Sequence, residues 1–376
     1  MTTVVRPVTV AEAAQLFAEL DGATVAIAGA GTKAGWGAPG RAPDVELSTL
    51  GLAGVLEHNP GDLTAVVAAG TRLADVQAAL KSYGQMLALD PPGDPTVGGV
   101  VAAADQGPLR HRYGAARDLL LGARFVLTDG TVARSGGKVI KNVAGYDLAK
   151  LFCGSFGTLG LIAEVVVRLH PRAPSVSVRA EAPDPARLQR AALALSHAPL
   201  EASCLDAAFA SGRGAVLARF EGVAATIQAE RAARLLASQG LQAEVLSDDD
   251  DLWAAQRAGQ RAPEGGLAVR VSGLQTTLAR VLTEVDRRGG SAVARAGFGT
   301  VWATFPASAP PDQVALVQDL RSALVDLRCV VLDAPQEVRA ALDPWGRVDP
   351  GALALMGALK SRFDPAGVLP SLPGVE

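Results

Sequence analysis

Lysine, amide and phenol side chains crowd into one stretch of this chain. Lys138, Lys141, Asn142 and Tyr146 stand among Gly136, Gly137 and Gly145 in the run from Ser135 through Leu148. Glycine lets the backbone turn with positive φ or approach another group closely, at an entropic cost that a purely structural strand avoids. Two ammonium groups and an amide beside such a backbone suit a large ligand that carries or develops negative charge. The plainer alternatives are solvated loop charge for the lysines and a packed ring with its hydroxyl on a carbonyl for Tyr146. The run continues through Gly154-Ser155-Phe156-Gly157-Thr158-Leu159-Gly160-Leu161-Ile162 into the apolar segment 161–167, which reads as a strand.

Two earlier segments share this habit. Strand-like residues 23–28 end in Ala28-Gly29-Ala30-Gly31-Thr32-Lys33, a turn that gathers successive N–H groups, a hydroxyl and an ammonium. Such a turn suits a pyrophosphate, although it lacks the third glycine of a dinucleotide fingerprint and the ending of a P-loop, so an ordinary tight turn fits it as well. The other segment is Thr96-Val97-Gly98-Gly99 followed by small residues and Gly107. It reads either as a groove floor stripped of side chains, with the Thr96 hydroxyl at its edge, or as a close helix–strand crossing.

Other reactive residue types are scattered. Cys153, Cys204 and Cys329 form no C-x-x-C pair, and His58, His111, His170 and His197 show no spacing that would put two imidazoles on one metal. We therefore expect structural thiols and no metal site. His111 lies among Arg110, Arg112 and Arg117 and reads as a carboxylate-binding group or as a solvated or phosphate-facing basic turn. Asp248-Asp249-Asp250-Asp251 reads as a charge cluster at a helix N-terminus.

The elements that must position these residues alternate. Helical spacing over 8–20 and 72–83 interleaves with strands at 23–28 and 64–69, and 122–132 reads as a hairpin turning at Asp129-Gly130. After His170-Pro171-Arg172-Ala173-Pro174 the pattern changes to strands at 203–209, 215–220, 267–271, 300–305 and 329–332, separated by helices at 224–238, 274–288 and 312–324. Helices on one antiparallel sheet are expected there, with a last helix over 352–363. With 376 residues, 49% hydrophobic and 19% charged, the chain can fill more than one core. A net charge of -3 gives no reason to expect nucleic acid, and with no membrane-length apolar run or signal-peptide core the expected location is cytoplasmic.

Taken in order, the three glycine-rich segments resemble the FAD-binding domain of the vanillyl-alcohol oxidase and p-cresol methylhydroxylase family. The phrase Lys141-Asn142-Val143-Ala144-Gly145-Tyr146-Asp147-Leu148 is similar to the E subunits of bacterial glycolate oxidases, also called glycolate dehydrogenases. The resemblance covers about the first 170 residues. It implies an α+β chain, with a two-subdomain FAD-binding domain over 1–172, an α+β cap domain with helices on an antiparallel sheet over 173–345, and a C-terminal helix and tail over 346–376 that packs back on the FAD domain. By the same resemblance, residues 28–33 (Ala28, Gly29, Ala30, Gly31, Thr32, Lys33) cradle the FAD pyrophosphate. Thr96, Val97, Gly98, Gly99 and Gly107 border the pyrophosphate and flavin, and Gly157, Thr158, Gly160 and Ile162 follow the cofactor's other side. Lys141, Asn142 and Tyr146 face the isoalloxazine.

The chain also departs from the family. No histidine stands in the first turn, so FAD should be bound non-covalently. The tail Phe363-Asp364-Pro365-Ala366-Gly367-Val368-Leu369-Pro370 lacks the family's asparagine, and no tail contact to the flavin carries over. The second half has only His197 where catalytic relatives carry a histidine-rich substrate motif, so no catalytic residue is assigned. The resemblance implies an FAD-binding subunit of a complex that converts glycolate to glyoxylate and passes electrons to a second flavoprotein subunit and an iron–sulfur subunit. Two alternatives stay open: a self-sufficient FAD-linked dehydrogenase of another small 2-hydroxy acid, and a non-catalytic assembly subunit that retains the FAD fold.

Overall fold

The computed structural model describes residues 2–37, 39–137 and 146–371. The first half contains β1 (Thr3–Val5), α1 (Val10–Ala18), β2 (Val25–Ala28), β3 (Val45–Ser48), β4 (Val55–Asn59), β5 (Thr64–Ala68), α2 (Leu73–Lys81), β6 (Gln85–Met86), α3 (Val97–Ala103), α4 (Arg110–Tyr113), α5 (Ala116–Leu119), β7 (Leu120–Val126), β8 (Val132–Gly136), α6 (Leu148–Phe152), β9 (Leu161–Arg168) and β10 (His170–Pro171). Among the described residues these strands build a parallel sheet ordered β1-β3-β2 and an antiparallel sheet ordered β4-β5-β9-β7-β8. The central strand β9 is apolar on both faces because both are covered. Val165 and Val167 join the core under α2, α3 and α6, while Leu161 and Ala163 join the core shared with α1 and the parallel sheet. Continuous burial over Leu161-Ile162-Ala163 gives way to alternation from Glu164, which is half-buried and pairs with Arg124 at 2.7 Å.

The second half contains β11 (Ser175–Ala182), α7 (Pro185–His197), β12 (Ala202–Ala210), β13 (Arg213–Glu221), α8 (Ala225–Ser238), β14 (Ala243–Leu246), α9 (Asp250–Ala258), β15 (Leu267–Ser272), α10 (Leu278–Asp286), β16 (Ser291–Arg295), β17 (Thr300–Phe305), α11 (Pro310–Ala323), β18 (Arg328–Asp333), α12 (Gln336–Ala341) and α13 (Pro350–Phe363). Its antiparallel sheet runs β14-β11-β13-β12-β16-β17-β15-β18. Each half of that order is a β-α-β-β-α-β unit with its strands in the order 4-1-3-2, and the two units join edge to edge through β12 and β16. The helices form by plain amphipathicity. In α7, for example, Asp184 caps the Arg187 N–H at 2.8 Å, Pro185 opens the first turn, and Leu188, Ala191, Ala192 and Leu195 face the sheet.

The two faces of this cap sheet differ. Leu205, Ala207, Val216, Ala218, Val269, Val271, Ala294 and Val301 pack under α7, α8, α10 and α11. The alternate residues Asp206, Arg219, Arg270, Arg295 and Trp302 stand on the opposite face, toward the first half. The tail returns to the start of the chain: Val368 accepts the Val25 N–H at 2.7 Å, and Val368 and Leu369 enter the core of α1 and β2. Asp364 holds that turn by accepting the Val368 and Leu369 N–H groups and the Lys360 ammonium. The fold is therefore α+β, with a two-part first domain of the vanillyl-alcohol oxidase type and a cap of helices on one antiparallel sheet.

Candidate functional site

The three glycine-rich segments converge. Strand β2 delivers Ala28, and residues 28–34 line a cleft of about 180 Å³ together with Thr96, Gly98 and Gly99 from the start of α3 and Phe156, Gly157, Gly160 and Ile162 from the third segment. Glycine is required at several of these places, Gly29 and Gly31 among them. A Cβ on Gly29 would lie 2.3 Å from Thr96 Oγ1, and Gly31 turns at φ +73°, a left-handed conformation that favours glycine. The cleft is smaller than the ~300 Å³ of pockets that enclose drug-sized ligands, so an extended ligand would lie along it rather than inside it.

Thr96 is extended at φ -75°, ψ 152°, and its hydroxyl oxygen accepts the Gly99 N–H at 3.2 Å as the N-cap of α3. That leaves its own proton free to donate. The segment is also the close crossing that the sequence allowed as an alternative: Gly98 N–H donates to the Ala69 carbonyl at 2.7 Å, and a Cβ there would meet the Ala69 Cβ at 2.6 Å. Lys33 is locked. Its ammonium lies 3.0 Å from Asp105 and 3.1 Å from Thr32 Oγ1, with side chains only 9% and 3% exposed for Lys33 and Asp105. The pair balances its own charge, so an anion in the turn would be held chiefly by backbone N–H groups and the Thr32 and Thr96 hydroxyls. Floor without side chains, positive-φ turns and clustered donors fit the diphosphate of a dinucleotide.

Other residues singled out from the sequence lie elsewhere. Val97 and Thr158 are buried behind the cleft wall, Thr158 donating to the Ser155 carbonyl at 2.6 Å. Gly107 stands outside the cleft, where an added Cβ would lie 1.9 Å from the Asp90 carbonyl oxygen. Tyr146 is 93% exposed, and its carbonyl oxygen accepts from Ser135 Oγ at 3.4 Å. Lys138, Lys141 and Asn142 lie outside the described residues.

The basic turn divides and does not line the cleft: Arg112 and Arg117 are exposed to solvent, while Arg110 and His111 pack against the cap. Arg110 stacks on Phe298 of the cap at 5.0 Å and donates to the Gln106 side chain, and the His111 ring meets Phe298 edge-on at 5.8 Å. Burial pushes the His111 imidazole down, and its buried Nδ1 finds no hydrogen-bond partner among the described residues. The acidic run also differs from expectation. Asp250 and Asp251 do stand in the first turn of α9, but Asp249 is 4% exposed and accepts from Arg219 at 2.5 and 3.0 Å and from Ser177 Oγ at 2.6 Å. Burial raises its carboxyl, but the Arg219 and Ser177 hydrogen bonds outweigh burial and hold it below the ordinary carboxylate value.

A larger depression of about 950 Å³ separates α2 and residues 86–94 from the cap. Its lining includes Asp90, Asp94, Glu221, Asp248, Asp249 and Asp250 against Arg172, Arg219 and Arg257, a balance that disfavours a diphosphate. Asp90 accepts the Leu109 N–H at 3.1 Å, and burial pushes its carboxyl up to about 7 although Arg257 stands 3.9 Å away. Among the described residues no group of three His, Cys, Asp or Glu side chains could hold a metal, and Cys153, Cys204 and Cys329 are free thiols.

Sequence reasoning passed over Trp36, Phe156 as a cleft wall, Gln260, Arg261, Asp333 and Trp345. Trp36 Nε1 donates to Asp333 at 2.9 Å, and Phe156, at φ +54°, packs on Trp345 with ring centroids 5.0 Å apart. Trp36 follows the first turn closely enough to have been noticed. The cap residues give no local signal.

Residues 1–136 match the family model described as FAD binding domain. The glycolate oxidase subunit GlcE of Escherichia coli (strain K12) is 40% identical over 167 residues, which is 43% of this chain and 47% of that protein. The glycolate oxidase subunit GlcD of Bacillus subtilis (strain 168) is 40% identical over 120 residues, covering 31% and 26% of the two chains. The D-lactate dehydrogenase of Archaeoglobus fulgidus is 33% identical over 165 residues, covering 44% and 37%. The chain thus spans less than half the length of these curated relatives. An alkyldihydroxyacetonephosphate synthase structure superposes with a TM-score of 0.73 over 97% of this chain and 76% of its own at 14% identity, a likeness of fold. Among the described residues no helix is long and apolar enough to cross a membrane.

Proposed function

With residues 1–136 taken as an FAD-binding domain, we propose that this chain is the FAD-binding subunit of a multi-subunit glycolate oxidase or dehydrogenase. The reaction would convert glycolate to glyoxylate and send two electrons onward through a second flavoprotein subunit and an iron–sulfur subunit. The observation that carries the reading is the convergence of the three glycine-rich segments on one donor-lined cleft, in a chain whose matched stretch is 40% identical to a glycolate oxidase subunit. We divide the chain into an FAD domain over 1–172, a cap over 173–345 and a returning tail over 346–376.

Residues 28–33 would hold the diphosphate, with Thr96, Gly98 and Gly99 along its floor, Gly157, Gly160 and Ile162 along the far wall, and Val97 and Thr158 backing these surfaces from behind. Gly107, Lys141, Asn142 and Tyr146 would lie toward the flavin. Binding is non-covalent in this reading, because the first turn presents Thr32 and Lys33 rather than a histidine. When bound, FAD supplies the two-electron acceptor. The chain's own part is to hold the diphosphate, exclude water along the cleft and position the cap.

A relay or accessory role is favoured over independent turnover. The only histidine of the second half, His197, ends α7 on the helical side of the cap sheet, away from the cleft. The location would be the cytoplasm, with any membrane association made through partners. Similarity to D-lactate dehydrogenases supports a second reading, a self-sufficient dehydrogenase of another small 2-hydroxy acid. Co-purification with the partner subunits followed by glycolate-dependent dye reduction, with and without this chain, tests the first reading: full rate without it would refute the proposal. Anaerobic bleaching of flavin in the isolated chain by D-lactate would favour the second.

A further inference from the structure

Gln260 and Arg261 are adjacent in sequence just beyond α9 of the cap, yet each grips a different loop of the first domain. Gln260 Nε2 donates to the Gln106 carbonyl at 2.9 Å, and Arg261 Nη1 donates to the Thr32 carbonyl at 2.8 Å. Both side chains are fixed from behind. Gln260, 1% exposed, accepts from Arg295, whose guanidinium pairs with Asp206 at 2.5 Å in a fully buried contact. Arg261 is held in a fork by Asp333 at 2.7 and 2.9 Å, and Asp333 also accepts the Trp36 indole N–H.

Packing alone would not need directional polar contacts at this seam. Beside the apolar contacts of Trp36 and Phe156 with Trp302 and Trp345, it has two directional donors aimed at backbone carbonyls, one at Thr32 in the first turn of the cleft and one at Gln106 in the loop that follows α3. In a planar trans peptide the C=O and the following N–H point in opposite directions. Drawing the Thr32 carbonyl toward the cap therefore turns the Lys33 N–H away from the cap, and drawing the Gln106 carbonyl does the same to the Gly107 N–H.

We propose that Gln260 and Arg261 are positioning residues for the cofactor, through which seating of the cap sets the affinity of the first domain for FAD. The inference rests on the reading that FAD occupies the glycine-lined cleft. The coupling is reciprocal: FAD that binds better to the seated turn must also hold the cap in place.

The test is titration of the full chain, stripped of flavin, with FAD, followed by flavin fluorescence and by melting of the flavin-free form. Arg261→Ala should weaken FAD binding about tenfold or more, since a charge-assisted hydrogen bond and its fork are lost. Melting of the flavin-free form should stay within about 2 °C, because Arg261 is a partly exposed side chain. Arg261→Lys keeps the charge but loses the fork, and should fall between wild type and Arg261→Ala. Asp333→Asn, which frees the arginine, should weaken FAD in the same direction and serves if Arg261→Ala does not fold. Arg280→Ala breaks an exposed pair with Asp326 on the helical side of the cap and should leave FAD binding unchanged. The proposal is overturned if Arg261→Ala and Asp333→Asn bind FAD as tightly as wild type while Gly31→Asp does not bind it. Equal binding by wild type and Gly31→Asp would instead remove the cleft assignment on which the proposal stands.

Discussion

The glycine-lined cleft of the first domain and the inner face of the cap sheet are both polar surfaces enclosed within one fold, and they are built by opposite means. In the cleft, polarity comes from the backbone: N–H groups of residues 29–33, beside a floor at Gly29, Gly98 and Gly157 that carries no side chains, with one lysine already neutralised by Asp105. On the cap face it comes from side chains on separate elements, Arg219 of β13 with Asp249 at the start of α9 and Arg295 of β16 with Asp206 of β12, each pair deeply buried. The N–H groups of residues 29–33 donate to no other backbone group among the described residues and stand open to a ligand, whereas the cap side chains are largely taken up by one another, with Asp206 Oδ1 and Arg295 Nε left without a hydrogen-bond partner. The first is therefore suited to binding and the second to fixing the seam, where Gln260 and Arg261 carry it to Gln106 and Thr32, with the Trp36–Asp333 and Arg339–Gly37 contacts beside them.

The division can be broken from either side. Arg219→Met should cost the fold about 3 kcal/mol, because Asp249 would keep its buried charge without its cation, while FAD binding should be unchanged; denaturant unfolding and flavin titration on one preparation would show both. Gly29→Ala should do the reverse in proportion. Its Cβ would overlap Thr96 Oγ1, costing roughly 1–3 kcal/mol of stability but removing most FAD binding, and Thr96→Ala in the same chain should recover part of the lost stability. If Gly29→Ala bound FAD normally, the crossing at Thr96 would not be part of the site.

Asp90 sharpens the comparison through pH. Its carboxyl is pushed up to about 7 by burial, so between its unfolded value near 3.8 and about 7 the folded chain holds a proton that the unfolded chain has lost. Its contribution to stability is thus fully present at low pH and falls as pH rises through that window. His111 and His170, pushed down by burial, act in the opposite sense. The readout is accordingly the difference: melting temperatures from pH 5 to 8 should fall more steeply, or rise less, in wild type than in Asp90→Asn. The smallest effect expected is at Asp250, an exposed acid in the first turn of α9, where Asp250→Ala should cost about 0.5 kcal/mol by urea unfolding and leave FAD binding alone.

The same contrast explains what could be read in advance. Local patterns gave β9, the Asp129-Gly130 hairpin, the helices of the cap and the glycine turns, because periodicity and glycine are written into short stretches. The convergence of residues 28–34, 96–99 and 156–162 was legible through the order of the three segments. The role of Asp249 was not, since its partner Arg219 lies on β13, thirty residues earlier, and nothing in four consecutive aspartates marks the buried one. The packing of His111 against the cap was not legible either, because Phe298 and Gly297, which cover it, come from a cap loop almost two hundred residues later. Gln260 and Arg261 are ordinary polar residues after a helix, and only their contacts with Gln106 and Thr32 give them meaning.

The central claim is that the turn at Gly31 holds the diphosphate of FAD. Gly31 has open space around its Cβ position, and aspartate tolerates its left-handed φ better than most residues, so Gly31→Asp should fold while placing a carboxylate beside the phosphates. The most direct measurement is the flavin absorbance ratio of purified wild-type chain and Gly31→Asp after refilling with FAD. The account predicts one non-covalent FAD per wild-type chain and at least about a hundredfold loss of affinity in the variant. A variant that melts like wild type and retains FAD equally well would contradict it.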